Sequence, residues 1–284
     1  MQYTQYKRLP QAYIENKINE FLIEDMPDGD KTTLGIFKNP EKVKAIIQAE
    51  QDLIFAGEQI ISTFFKEYSE TIAFFKDGDE IKNGQIISEI FAPIDYILTR
   101  ERVLLNLLQR LCGIATLTKQ HTQIGDKYNV KILDTRKTTP GLRLFEKFAV
   151  TAGGGFNHRL DLSSGILVKD NHIKAAGCIK DAIKKIKNEN YDLPIEVEVE
   201  FEEQVIEGLI AGADGFLLDN QTPDNAKKLV KLIRNYNDKY YFIEASGGIN
   251  LTNLEEYVKT GVDAISIGAL THSAKSTNIH IEIL

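Results

Sequence analysis

From residue 131 onward the chain alternates short apolar runs with helical stretches, and this rhythm limits the possible folds more than any other feature. Strand-like runs lie at 131–135, 165–169, 195–200, 215–219, 240–245 and 264–268, separated by helical stretches such as 179–187, 203–211 and 223–235. Parallel strands need such crossovers, and strands covered on both faces read as near-continuous apolar sequence, as in Gly215-Phe216-Leu217-Leu218. The pattern fits an α/β barrel, although the six readable strands are fewer than the eight that close a full one.

What stands at the end of each run is chemically specific. Arg136 and Lys137 follow the first, Lys169 the second, Glu198 and Glu200 the third, Asp219 and Asn220 the fourth, Ser246-Gly247-Gly248 the fifth and Gly268 the sixth. In a barrel these ends gather on one face, where active sites are built. One polar residue at a strand exit is ordinarily structural, but a polar group at every exit points to a site.

The stretch from Ile132 to His172 adds the sign of the ligand. It holds Arg136, Lys137, Arg143, Lys147, Arg159 and Lys169 against Asp134, Glu146, Asp161 and Asp170, a cationic island in a chain of formal charge -7. Such a contrast asks for a small, enclosed anion. Within the island Leu142 to Ala152 reads as a helix, and Gly153-Gly154-Gly155 permits close backbone approach or positive φ. Glu198 and Asp219, on successive strands, are hard oxygen donors suited to Mg²⁺ that keeps phosphate oxygens as its other ligands. Glu200 alternates to the opposite face of its strand. Ser246-Gly247-Gly248-Ile249-Asn250, read as leading into a helix, is an anion site suited to a 5′-phosphate, and Ser266 to His272 supplies its neighbouring half.

Bulk properties exclude other classes. A sequence pI near 5.4 argues against a nucleic-acid partner, which needs a broad basic face. No run approaches the ~18 apolar residues of a membrane span, and the N-terminus has no apolar signal core. Cys112 and Cys178 form neither a CxxC nor a disulfide framework, which suits a reducing cytoplasm.

The first part of the chain reads as a separate α/β sandwich spanning residues 1–113, with the barrel over 114–269 and the tail 270–284 returning to the first domain. Apolar residues at helical spacing run from Pro10 to Leu22. The acidic turn from Glu24 to Thr33 is read as Asp side chains capping backbone amides, not as a metal site. Asp77-Gly78-Asp79 and Lys82-Asn83-Gly84 punctuate strands between Val43 and Pro93. A helix from Ile97 to Lys119 joins the two parts; Arg100, Arg102 and Arg110 on it read as solvated.

These pieces together resemble the quinolinate phosphoribosyltransferase family. The likeness runs through ERVLLNLLQRLCGIAT, DTRKTTPG, GGG-x-NHR, VKDNHI, VEVE, LLDN, EASGGI and SIGALTHS, in the expected order along nearly the whole chain. The resemblance implies a second domain built as a seven-stranded incomplete barrel, with the further strand expected near Val150. It also implies a reaction of quinolinate with 5-phosphoribosyl-1-pyrophosphate, giving nicotinate mononucleotide, pyrophosphate and CO₂. Residues matching the family's quinolinate positions are Thr135, Arg136, Lys137, His158, Arg159 and Lys169, with Arg102 reaching the site of a neighbouring subunit in a homodimer or larger assembly. Glu198 and Asp219 match its Mg²⁺-pyrophosphate and ribose positions, and Ser246, Gly247, Gly248, Gly268, Ala269, Leu270 and His272 its phosphate cradle. Lys137, Lys169, Glu198 and Asp219 are the expected catalytic groups. Cys112 and Asp161 depart from residues common in the family, without removing a charged ligand. Two alternatives stay open: a paralogue associated with molybdenum uptake, suggested by the GDKTT turn and the RLDLSS run, and a non-catalytic phosphosugar-binding barrel.

Overall fold

A computed structural model describes residues 3–68 and 71–284. These residues form two compact units, a sheet unit (described residues of 6–119, 144–154 and 273–284) and a barrel unit (3–5, 120–143 and 155–272).

In the sheet unit, helices α1 (Gln11–Asp25) and α2 (Lys31–Ile36) precede strand β1 (Lys42–Ala49). The Asp30 side chain caps α2 by accepting from the amides of Thr32 and Thr33, so the acidic turn serves a helix end. Short strand β2 (Leu53–Ile54), helix α3 (Glu58–Phe64), short strands β3 (Ile72–Ala73) and β4 (Glu80–Ile81), and the longer β5 (Ile86–Pro93) follow. Asp77 lies before a turn and also caps α3, accepting from the amides of Gly57 and Glu58 at 2.6 and 3.0 Å. Helix α4 (Ile94–Gly125) is longer at both ends than its apolar spacing suggests, and α5 (Arg143–Ala152) buries Phe145, Phe148 and Val150.

Helix α4 stays with the sheet unit through Lys119, and residues 144–154 fall there too. The physical reason is a close approach: a Cβ on Gly153 would stand 2.4 Å from the Ala115 carbonyl oxygen, so the end of α5 is drawn against α4. Arg110 also departs from a solvated reading. Its guanidinium pairs with Glu146, which is fully buried, at 2.9 Å and donates to the Ala274 carbonyl at 2.8 Å. Arg100 lays its guanidinium 3.5 Å from the Tyr96 ring centroid.

The barrel unit carries six parallel strands: β6 (Lys131–Leu133), β7 (Ile166–Val168), β8 (Ile195–Val199), β9 (Gly215–Asp219), β10 (Phe242–Ser246) and β11 (Ala264–Ser266). Their order in the sheet is β6-β11-β10-β9-β8-β7. The expected strand near Val150 is absent there, since Val150 is buried in α5. The place of a seventh strand is taken by one residue, Phe156, bridging in parallel to Leu133 at the free edge of β6.

Helices α6 (Asp170–Ala176), α7 (Ile179–Asn188), α8 (Glu202–Ala211), α9 (Pro223–Arg234) and α10 (Leu254–Val258) make crossovers, and α11 (Ala269–His272) follows the last barrel strand. Helix α9 shows why they form: Thr222 caps it, Pro223 stands at its first turn, and Ala226, Leu229, Val230 and Ile233 bury one stripe. Phe216, Leu218, Ile243 and Ile265 fill the strands' core at 0% exposure, each worth about 1.5–3 kcal/mol of burial. The last strand, β12 (Ile279–Ile283), belongs to the sheet unit and pairs antiparallel with β1, giving the order β12-β1-β5-β3. No helix among the described residues is long and apolar enough to cross a membrane.

Candidate active site

The C-terminal ends of the six barrel strands surround a cavity of about 740 Å³. Thr135, Arg136, Lys137, His158, Arg159, Lys169, Glu198, Asp219, Ser246, Gly247, Gly248, Gly268, Ala269 and His272 all line it. Two residues singled out in the sequence do not. Leu270 packs into the core at 0% exposure, and Arg102 is exposed on α4, in the sheet unit.

The cationic side is built from the β6 exit and the loop after α5. Asp134, fully buried, accepts from the Asn157 side-chain amide at 2.7 Å and from the His158 backbone amide at 2.9 Å, fixing one loop to the other. Arg159 is thereby held at 5% exposure, where its guanidinium donates to the Gly165 carbonyl at 2.8 Å. Burial lowers the pKa of that guanidinium, and the charge of Arg136 lowers it further. Arg136 has a buried Nε without a hydrogen-bond partner. Two neighbouring guanidiniums with an unsatisfied donor make a place for an anion with more than one oxygen.

The acidic side lies on β8 and β9. Lys169 Nζ stands 2.5 Å from Glu198 Oε2, with the lysine side chain 44% exposed. Burial raises the Asp219 pKa, and the charge of Glu198 adds to the shift against the opposing charges of Lys169 and Lys137. A carboxyl whose proton affinity is raised by burial and by a second carboxylate beside it belongs to a donor set that a hard divalent cation would relieve. These residues therefore fit Mg²⁺.

The glycine loops are shaped by contact as well as by φ. Gly247 has φ +97°, and a Cβ there would meet Asn220 Oδ1 at 2.2 Å. Asn220 donates its backbone N–H to the Ser246 carbonyl at 2.8 Å, tying the β9 and β10 exits together. The expected helix directly after this loop does not form: α10 starts only at Leu254 and has five residues. The anion cradle is thus a loop of glycines and not a helix N-terminus. At Gly268 a Cβ would come 3.0 Å from Lys137 Cδ and 3.1 Å from His272 Nε2, and Thr271 Oγ1 donates to the Lys137 carbonyl at 2.7 Å.

Below this layer lies a group of side chains of which the sequence analysis singled out only His158. Tyr3 stacks on His158 at 4.5 Å between centroids and donates its hydroxyl to Glu196 Oε2 at 3.0 Å. His158 Nε2 faces Glu196 Oε2 at 3.6 Å and Glu244 Oε2 at 3.4 Å, and both carboxylates are at 0% exposure. Burial pushes the Glu244 carboxyl up to about 7, the charge of Glu196 adding to the shift and the Ser266 side chain opposing it. The one sequence signal was a glutamate in the middle of each apolar strand, Ile195-Glu196-Val197 and Ile243-Glu244-Ala245.

Comparison with known proteins bears on the same residues. Residues 114–282 match the family model described as the quinolinate phosphoribosyl transferase C-terminal domain, and residues 30–112 match its N-terminal domain. A Bacillus subtilis protein named "Probable nicotinate-nucleotide pyrophosphorylase [carboxylating]" is 45% identical over 274 residues, covering 95% of this chain and 93% of its own. A Dictyostelium discoideum protein named "Nicotinate-nucleotide pyrophosphorylase [carboxylating]" is 34% identical, covering 97% of each. The solved structure of the nicotinate-nucleotide pyrophosphorylase from Francisella tularensis matches over 100% of both chains with a TM-score of 0.92 and 31% identity.

Proposed function

The chain belongs to the quinolinate phosphoribosyl transferase family, and from that premise we propose that it transfers the phosphoribosyl group of 5-phosphoribosyl-1-pyrophosphate to the ring nitrogen of quinolinate. Loss of CO₂ then gives nicotinate mononucleotide, a step in NAD biosynthesis. The observation that carries this reading is the Arg136–Arg159 pair with its buried, unpartnered Nε. Quinolinate presents two adjacent carboxylates, and binding it out of water requires fixed cations at several oxygens.

In this reading Arg136, Lys137, Arg159 and Lys169 orient the dicarboxylate, and the glycine loops at 246–248 and 268–269 hold the 5-phosphate. The ring nitrogen attacks the ribosyl carbon as pyrophosphate leaves, through an oxocarbenium-like centre. The positive charge of the quaternised nitrogen then stabilises the electron pair left on C2 as CO₂ departs, and a proton is taken up there in its place. Little covalent catalysis by the protein is needed, so positioning and electrostatics carry the rate. Glu198 and Asp219 would hold Mg²⁺, which when bound neutralises the leaving pyrophosphate. A cytoplasmic homodimer, with Arg102 reaching a neighbour's site, is part of the same proposal. The carboxylating relatives favour this reading over the molybdenum-associated and non-catalytic alternatives.

Equilibrium titration tests the carrying observation. Quinolinate should bind at least about tenfold more tightly than nicotinate, because each charge-assisted hydrogen bond to a second carboxylate is worth about 1.5–3 kcal/mol. Equal affinities would contradict the clamp.

A further inference from the structure

Beneath the cationic layer, Glu244 is the one fully buried carboxylate that lines the cavity. Neither of its oxygens has a hydrogen-bond partner. Its neighbour Glu196 is differently placed, receiving the Tyr3 hydroxyl at 3.0 Å and the electrostatic influence of Arg159. Two carboxylates this close in a dry site do not both ionise unless a cation stands between them.

His158 is not that cation. Its Nδ1 accepts the backbone N–H of Arg159 at 2.8 Å, so the ring is neutral and carries its proton on Nε2, the atom facing the two glutamates. The same bond argues against a metal held by His158, Glu196 and Glu244, although their ligand atoms lie within 4.8 Å of one another. A histidine that binds metal through Nε2 ordinarily donates from its other nitrogen, whereas here that nitrogen accepts. The arrangement therefore keeps a proton, and the geometry places it on Glu244. Glu196 accepts the Tyr3 hydroxyl and lies near Arg159, whereas Glu244 has only the donors of Ser266 and His158 Nε2 facing it. The groups facing Glu244 are Glu196 from β8, Ser266 from β11, and His158 and Asp134 from the β6 side, with Tyr3 behind Glu196.

We propose that Glu244 is a neutral carboxylic acid at the cavity floor and the general acid that supplies the proton taken up at C2 of the pyridine ring when CO₂ leaves. The C2–carboxylate bond breaks with its electron pair remaining on C2. A C2–H bond forms with the proton of the Glu244 carboxyl, leaving Glu244 as a carboxylate. Water restores the proton after product departs. A neutral acid also leaves the charge of Arg136 and Arg159 available to the substrate, which an ionised Glu244 would compete for. The raised proton affinity of this buried carboxyl agrees with the role. The proposal rests on the quinolinate reading and gives a role to a residue of the EASGGI motif that the sequence analysis left without one.

The test compares wild type with Glu244→Gln, which keeps the shape of a neutral acid but has no acidic proton. With quinolinate, phosphoribosyl pyrophosphate and Mg²⁺, E244Q should lose roughly 10²–10⁴-fold in kcat while KM for quinolinate stays within about threefold. Wild-type kcat should fall as pH rises through the pKa of the acid; E244Q should lack that limb, and Glu244→Asp should recover part of the rate. Infrared spectra of wild type should contain a buried carboxylic-acid carbonyl band that E244Q lacks. An E244Q kcat within about threefold of wild type, a loss confined to KM, or no such band would overturn the proposal. If E244Q does not fold, disappearance of the wild-type band as pH rises, together with the E244D rate, decides the matter. Wild type without turnover would tell against the quinolinate reading, and the infrared measurement would still decide the state of Glu244.

Discussion

The charge of Arg136 acts against that of Arg159, and in the proposed reading an anion lying against the pair relieves that cost and favours a dicarboxylate. Arg136→Ala should lower kcat/KM for quinolinate by roughly 100-fold, equivalent to about 3 kcal/mol of charge-assisted hydrogen bonding, with an unchanged circular dichroism spectrum. A loss below about threefold would remove Arg136 from the clamp. Asp219 is under the opposite stress. Its raised folded pKa means that its contribution to stability is complete below the ordinary carboxylate range and is lost as pH rises through the folded value. At neutral pH the ionised Asp219–Glu198 pair is thus a cost, so Asp219→Asn should melt higher than wild type and turn over poorly. Mg²⁺ with phosphoribosyl pyrophosphate should raise the melting temperature of wild type more than that of the variant; an equal rise would speak against Asp219 as a metal ligand. The charged residues at strand exits were legible because each exit carries its own motif. The Tyr3, His158, Glu196 and Glu244 group was not, since its members come from four distant segments and only tertiary structure brings them together.

At the scale of elements, the chain's rhythm made the strands visible and left their ends uncertain. Five residues from 131 read as a strand but three pair, because Asp134 turns to hold Asn157 and His158 instead of continuing the ladder. Val150 read as strand material because it follows an apolar run; Phe145, Phe148 and Val150 instead belong to a helical face. The true seventh position is one residue, Phe156, which no periodicity can reveal. The loop after β10 was recognisable by composition, yet its close seat against Asn220 depends on a neighbouring strand exit. Gly247→Ala should therefore cost about 1–2 kcal/mol from the left-handed backbone alone, lowering the melting temperature by a few degrees. KM for phosphoribosyl pyrophosphate should rise roughly tenfold as the cradle shifts, by about 1.4 kcal/mol of lost binding. Wild-type values for both would show that the loop has slack the geometry denies.

Across the whole molecule, a chain of formal charge -7 concentrates cations at the mouth of one parallel sheet and keeps its carboxylates on the neighbouring strands. The two units were visible in the sequence as a change from short strands and turns to a strand–helix rhythm. The packing of the end of α5 on α4 through Gly153, within the sheet unit, was not, because no local pattern announces that contact. The most direct test of the account is turnover by the purified chain with phosphoribosyl pyrophosphate and Mg²⁺, offering quinolinate or nicotinate and following nicotinate mononucleotide and CO₂. Turnover with quinolinate and none with nicotinate is the predicted result. Turnover with nicotinate, or with neither, would contradict a site built around two adjacent carboxylates.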